Sequence, residues 1–222
     1  MKTVLWDWNG TLLDDVQVSY DCLNEMLRRC GLPPVPSIGD YRTVFGFPVR
    51  DYYARVGIRG PLFDEVAPLW MDVYMKNQVV CTLRPDASPV LGILKDAGWR
   101  QVILSASKRE NLLEQMERFD ILQYFDAVLG LTHIYATDKT GIAREWLENS
   151  GTDPADCVMI GDTLHDADVA RSLDCRCVLV SGGHQSRTAL LSAGCPVTDS
   201  LKAAAEIIMK DPGCRTGNER YE

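Results

Sequence analysis

Thr3-Val4-Leu5-Trp6-Asp7-Trp8-Asn9-Gly10-Thr11 is the stretch on which the fold turns. Its first four residues are apolar or β-branched and too few for a helix, so they predict a short buried strand. Asp7 ends the apolar run, and Asn9-Gly10 supplies a turn, because both residues tolerate the backbone angles that redirect a chain.

Beyond that turn, a helical pattern runs from about Val16 to Cys30 and is closed by Gly31 and the Pro33-Pro34-Val35-Pro36 cluster. Helical periodicity continues from about Tyr41 to Gln78, broken at Gly46-Phe47-Pro48, Gly57 and Gly60-Pro61, with no strand among those residues. After Arg84-Pro85 the rhythm changes. Helices are predicted at about Pro89 to Ala97, Arg109 to Phe119, Lys139 to Asn149 and from His165 onward. Between them lie apolar, strand-like runs near Gln101 to Leu104, Ala127 to Leu129, Cys157 to Ile160 and Cys177 to Val180. Strands alternating with helices of this length imply a parallel sheet covered on both faces. The expected fold is therefore α/β: a Rossmann-like parallel-sheet core (residues 1–14 and 83–210) with an inserted α-helical cap (15–82) and a polar C-terminal tail (211–222) expected to fray.

The chain's 222 residues are enough for one such domain and a modest insertion. A hydrophobic share of 46% with 24% charged residues is ordinary for a globular protein. The formal net charge of −8 and the lack of a long Lys/Arg run argue against binding to a nucleic-acid backbone. The opening run meets Asp7 too early to be the apolar centre of a signal peptide. No stretch approaches the ~18 apolar residues of a membrane span. Eight scattered cysteines with no secretory signal are expected to be reduced, mostly buried thiols of a cytoplasmic protein. Cys175-Arg176-Cys177 has one intervening residue where a redox or zinc pair has two.

Ligands of open α/β sheets bind beyond the carboxyl ends of the strands, so the residues delivered there are the candidates. The first strand delivers Asp7, then Asn9-Gly10-Thr11. The run near Gln101 to Leu104 delivers Ser105, the run near Cys157 to Ile160 delivers Gly161-Asp162 with Asp166 soon after, and Lys139 opens a helix on the same side. Taken singly, each has an ordinary explanation as a turn, a helix cap or a surface charge. Together on one edge they suit phosphoryl transfer. Asp7 and Asp162 are hard oxygen ligands for Mg²⁺. Without a cation the carboxylates would repel one another and a phosphate. Ser105, Lys139 and backbone N–H groups of the Gly10 turn can hold phosphoryl oxygens as they gain charge. Asp7 is the residue best placed to attack phosphorus and form an aspartyl-phosphate.

In these segments the chain resembles the haloacid dehalogenase superfamily, in the branch with a helical cap after the first strand that includes phosphoglycolate phosphatases and β-phosphoglucomutase. Asp7-Trp8-Asn9-Gly10-Thr11 is similar to its first motif, Leu104-Ser105-Ala106-Ser107 to its second, Lys139 to its third, and Gly161-Asp162-Thr163-Leu164-His165-Asp166 to its fourth. The resemblance implies Asp7 as nucleophile and Mg²⁺ ligand, with the backbone carbonyl of Asn9, Asp162 and, directly or through water, Asp166 completing the metal set. Ser105 and Lys139 would hold the phosphoryl group, with Gly10, Thr11 and Ala106 lining the substrate site. The two-Asp fourth motif favours the phosphatase side over metal-free dehalogenation.

Asn9 departs from that pattern. The family places an Asp there that protonates the leaving oxygen and later activates water, and Asn has no titratable proton for either task. Losing such a group costs ~10²–10⁴ in rate. The expectation is a Mg²⁺-dependent phosphatase for a small phosphorylated metabolite, working as a monomer or homodimer. A phosphate-ligand-binding or regulatory protein with little turnover is the alternative. A phosphotransferase, or a phosphonoacetaldehyde hydrolase-like enzyme using Lys76 for a Schiff base, is further off. In the cap, Arg50 or Arg42 is positioned to meet a second anionic group on the substrate. His133, with an unperturbed pKa near 6.5, and Tyr135 are expected near the rim, and His133 is a substitute acid–base.

Overall fold

The computed structural model describes residues 1–135 and 139–210; the tail expected from Asp211 onward lies outside the described residues. Strand β1 (Thr3–Trp6) forms where the apolar run predicts it, and a two-residue strand β2 (Leu13–Asp14) follows the turn. Four helices come next: α1 (Val16–Arg29), α2 (Ile38–Val44), α3 (Val49–Arg55) and α4 (Pro61–Asn77). The breaks between α2, α3 and α4 fall at the expected Gly-Pro sites, while Pro68 is accommodated inside α4.

Strand β3 (Thr82–Leu83) then leads into α5 (Ala87–Asp96), β4 (Arg100–Lys108), α6 (Arg109–Arg118) and β5 (Ala127–Leu131). The chain continues through α7 (Thr140–Ser150), β6 (Cys157–Gly161), α8 (Leu164–Ser172) and β7 (Arg176–Val180). It closes with α9 (Arg187–Leu190), β8 (Val197–Thr198) and α10 (Leu201–Lys210). The two-residue strands β2, β3 and β8 carry no measurable period, so the sequence does not show them; α9 and α10 stand in addition to the expected helices.

Six strands form one parallel sheet in the order β5-β4-β1-β6-β7-β8. Alternate side chains face opposite sides, as a pleated strand requires. Val4 and Trp6 join Ile103, Val158, Ile160 and Val178 under α5, α6 and α10. Leu5 points the other way, with Val102, Leu104, Met159 and Leu179, against α7 and α8. Strands buried on both faces read as continuous apolar runs, which is why β1, β4, β6 and β7 were visible in the sequence.

Strand order reverses at β1, the position at which open α/β sheets form a crevice beyond the carboxyl ends. The helices α1 to α4 have a separate core in which Leu23, Met26 and Leu27 of α1 meet Tyr41, Tyr52, Tyr53, Phe63 and Val66. Both connections of this helical segment to the sheet pass through one antiparallel pair, Leu13 opposite Leu83 and Asp14 opposite Thr82. The cysteines among the described residues are all free, and among those residues no helix is long and apolar enough to cross a membrane.

Candidate active site

Asp7 is held at the sheet edge because its N–H donates to the Ile160 carbonyl at 2.9 Å, continuing the β1–β6 ladder by one step. The chain then reverses through Gly10, whose φ of 72° lies in the left-handed region. A Cβ at Gly10 would collide with the Asp162 carboxylate and the His184 ring, so the turn needs glycine for conformation and for space. The Thr11 hydroxyl lies beneath both acids, 2.9 Å from Asp162 Oδ1 and 3.3 Å from Asp7 Oδ2. Thr11 is fully buried and Gly10 N–H donates to Asp15 Oδ1 at 2.8 Å, so neither residue faces the cavity as the motif implied. They position the carboxylates instead.

Lys139 caps the start of α7 and extends its ammonium into the same hollow. Its three acceptors match its three protons: Asp7 Oδ1 at 2.5 Å, Asp166 Oδ1 at 2.7 Å and the Leu104 carbonyl at 3.1 Å. Burial works against this charge, but Asp166 and Asp7 outweigh it and push the lysine pKa above its ordinary value. Asp166 is in turn saturated. Its other oxygen accepts from the N–H groups of Asp162 and Thr163 and from the Thr163 hydroxyl at 2.7 Å, capping α8. Burial would raise the Asp166 pKa, yet Lys139 holds it below the usual carboxylate range. In this arrangement Asp166 orients Lys139.

The remaining two acids are only partly compensated. Burial pushes Asp7 up to about 8, with Lys139 opposing and Asp166 and Asp162 adding to it. Burial likewise lifts Asp162 to about 6 against the opposing pull of His184. Ligand atoms of Asp7, Asp162 and Asp166 all lie within 4.8 Å of one another. Three buried carboxylates at this spacing are the hard-oxygen donor set that a small divalent cation neutralises.

Ser105 and Ala106 come from β4, which continues past Leu104 to Lys108 with a shift of register there. Ser105 is nearly fully buried and, like Ala106, lines the cavity. Asn9 is fixed on both ends. Its amide Nδ2 donates to Asp15 Oδ2 at 2.8 Å and to the Tyr74 hydroxyl at 2.9 Å, while its Oδ1 accepts from Ser107 Oγ at 2.8 Å.

Asp15 and His184 are the two site residues that sequence reasoning missed. Asp15 accepts from Asn9, Gly10 N–H, Ser19, Tyr74 and His184 Nε2, the last at 3.1 Å. Although burial opposes it, His184 and these donors hold its pKa down. The His184 backbone N–H donates to Asp162 Oδ2 at 2.6 Å, and its Nδ1 meets the Tyr41 hydroxyl at 2.8 Å. Burial disfavours the imidazolium, but Asp15 and then Asp162 lift the ring to about 9. The sequence does carry a signal for His184: Gly182-Gly183-His184 lies just beyond the carboxyl end of β7, as Asp162 lies beyond that of β6. Asp15 gave none, since an acid before a helix looks like a cap.

These residues surround a cavity of about 150 Å³ between the sheet edge and the helical segment. Arg50 and Arg42 of the helical segment do not line it. Arg50, half-exposed, is ion-paired with Asp64 at 2.5 Å, donates to the Gly60 carbonyl at 3.5 Å and lies over the Phe63 ring. Arg42 donates to the carbonyls of Gly183 and Gly182, each at 2.8 Å, tying α2 to the sheet domain. Lys76 and His133 are exposed and off the cavity, whereas Tyr135 does line it. His165, stacked on Phe47 with centroids 4.4 Å apart, is the histidine near Phe47 that lines the cavity. Arg50→Ala is therefore expected to change KM for any turned-over ester by less than about two-fold, and stability by under ~1 kcal/mol, the ceiling for an exposed ion pair. A KM rise of about ten-fold in steady-state kinetics would return Arg50 to the substrate.

Residues 4–180 match the family model described as haloacid dehalogenase-like hydrolase. The phosphoglycolate phosphatase of Caulobacter vibrioides is 30% identical over 191 residues, covering 82% of this chain and 80% of that protein. A haloacid dehalogenase-like hydrolase from Streptococcus pneumoniae superposes with a TM-score of 0.80 at 18% identity, covering 93% of this chain and 98% of the other. CbbY from Rhodobacter sphaeroides, solved with xylulose-(1,5)bisphosphate, superposes with a TM-score of 0.70 at 19% identity over 90% and 94% of the two chains. With its sheet order, its strand-end carboxylates and this match over most of its length, the chain belongs to the haloacid dehalogenase-like hydrolase family.

Proposed function

We propose that the protein is a Mg²⁺-dependent phosphatase that hydrolyses a small phosphomonoester through an aspartyl-phosphate on Asp7. The observation that carries this is the contact of Lys139 Nζ with Asp7 Oδ1 at 2.5 Å, beside Ser105 and Asp162 around one cavity. Asp7, Asp162 and the Asn9 carbonyl would hold the cation, with Asp166 reaching it through water. When bound, Mg²⁺ supplies positive charge that offsets the buried acids and the phosphate.

An Asp7 oxygen then attacks phosphorus, the bond from phosphorus to the ester oxygen breaks, and its electron pair leaves with that oxygen. Lys139 and the Ser105 hydroxyl hold the phosphoryl oxygens as charge spreads over them. Water attacking the same phosphorus releases phosphate and restores the Asp7 carboxylate. The helical segment 15–82 acts as the cap that excludes bulk water, with α2 joined to the sheet domain through Arg42 and Tyr41. Free, mostly buried thiols suit a reducing cytoplasmic setting. Exposed Lys76 is poorly placed for Schiff-base chemistry.

Asn9 supports a second possibility, a phosphate-ligand-binding protein with little turnover. Phosphate release from a panel of esters, with Mg²⁺ and with chelator, separates the two: metal-dependent release supports the phosphatase, and binding without release supports the alternative. Asn9→Asp sharpens the test. The new carboxyl would lie where the Asn9 amide nitrogen now sits, 2.8 Å from Asp15 Oδ2. Like charges that close cannot both ionise, so the introduced acid would stay protonated to higher pH, the state a general acid needs. Turnover of alkyl phosphates is expected to rise by up to ~10²-fold more than that of aryl phosphates, because only poor leaving groups need the proton while both classes share the hydrolysis of the aspartyl-phosphate. An equal effect on both classes refutes this role for position 9.

A further inference from the structure

We infer that the substrate's leaving group is a single uncharged aromatic ring, so that the natural ester is a small aryl phosphomonoester and carries no second anion. The inference rests on the phosphatase proposed above and is carried by two independent observations.

The first is the aromatic wall of the cavity. There the helical segment presents Phe45, Phe47, Trp70, Met71 and Tyr74 to the cavity. Trp70 and Tyr74 stack with centroids 4.9 Å apart and 13° between planes, and Phe47 stacks on His165 at 4.4 Å and 21°. Flat rings and a polarisable thioether favour a further ring by offset stacking and sulfur contact. The cavity of about 150 Å³ is lined by the acids, Lys139 and Ser105 on its phosphoryl side as well as by these rings, so a leaving group held there is small. Among the described residues no arginine lines the cavity and Lys139 is its one lysine, already shared among Asp7, Asp166 and the Leu104 carbonyl. Arg42 and Arg50, the cap cations that would recognise a carboxylate or second phosphate, bond elsewhere. His184 is held between Asp15 and Tyr41. A second anion would thus lose its water without gaining an arginine or a free lysine as partner.

The second observation is Asn9. Its amide is locked by Asp15, Tyr74 and Ser107 and has no proton to donate to a departing oxygen. A phenolic oxygen, with a pKa near 10 as in tyrosine, leaves as a phenolate with both electrons of the broken bond and takes its proton from water afterwards. A simple alkoxide is far more basic and does not leave this way. The apolar ring that the wall accepts is also the leaving group that the chemistry tolerates.

Calorimetric titration of the full chain with Mg²⁺ tests the inference without needing turnover. Benzylphosphonate and phosphonoacetate carry the same phosphonate, one with a ring and one with a carboxylate. Benzylphosphonate is expected to bind about ten-fold tighter or better. Equal or tighter binding of phosphonoacetate overturns the inference, and so does no binding of benzylphosphonate at millimolar concentration. Trp70→Ala is expected to erase the preference, and an unchanged preference in the folded variant overturns it. Should that variant fail to fold, Met71→Arg places a cation in the same wall and is expected to shift preference toward phosphonoacetate. Turnover of phenyl phosphate, acetyl phosphate and phosphoglycolate is read separately. Release from none of them removes the phosphatase and leaves the binding ratio to judge the ring, whereas faster release from phosphoglycolate than from phenyl phosphate removes the aryl ester alone.

Discussion

Asp7→Asn is expected to lower Mg²⁺-dependent phosphate release on the order of 10⁴-fold or more while leaving the fold intact. The amide oxygen is a poor nucleophile, so the covalent step is lost outright. It can still accept the Lys139 proton that Asp7 Oδ1 now takes at 2.5 Å, so the local hydrogen bonding survives. The substitution also removes a buried acid whose burial, with Asp166 and Asp162 adding to it, lifts Asp7 to about 8. Metal-free Asp7→Asn is therefore expected to melt at or above the wild-type temperature, and to gain less from added Mg²⁺. Single-turnover kinetics and paired melts with and without metal check both halves. Wild-type-like release from the variant would move the nucleophile elsewhere and end the mechanism proposed here.

Lys139→Met has the second large effect and acts on fold and chemistry together. The lysine is 1% exposed and neutralises Asp7 and Asp166 at once. Truncating one partner of a buried ion pair costs about 3–5 kcal/mol, since the remaining charge is left without compensation. For a chain of this size that corresponds to a fall in Tm on the order of 10 °C. Mg²⁺ should restore part of the loss, because a bound cation meets the same two carboxylates. Turnover is expected to fall about 10²–10³-fold even where the variant is fully folded, from lost stabilisation of phosphoryl charge. An unchanged Tm in metal-free buffer would show that the three groups are not mutually buried.

The local part of this protein is written in its local patterns. Runs such as Val4-Leu5-Trp6 and Val158-Met159-Ile160 are apolar on both faces, so the parallel sheet and its principal strands could be read from neighbours in the chain. With the strands located, the carboxyl-end rule led to Asp7, Ser105 and Asp162, and the start of α7 to Lys139. Tertiary structure alone decided which partners those residues found. Asn9 meets Ser107 across 98 positions, His184 meets Asp15 across 169, and Arg42 turns away from the cavity to carbonyls 140 and 141 residues distant. Arg50, placed at the substrate from its position beside a turn, found Asp64 instead. Secondary structure follows from the order of residues within one strand or one turn of helix, and that order is visible. The pairing of charges depends on which surfaces the packed layers bring together and on which groups lose their water there, and no local period records it.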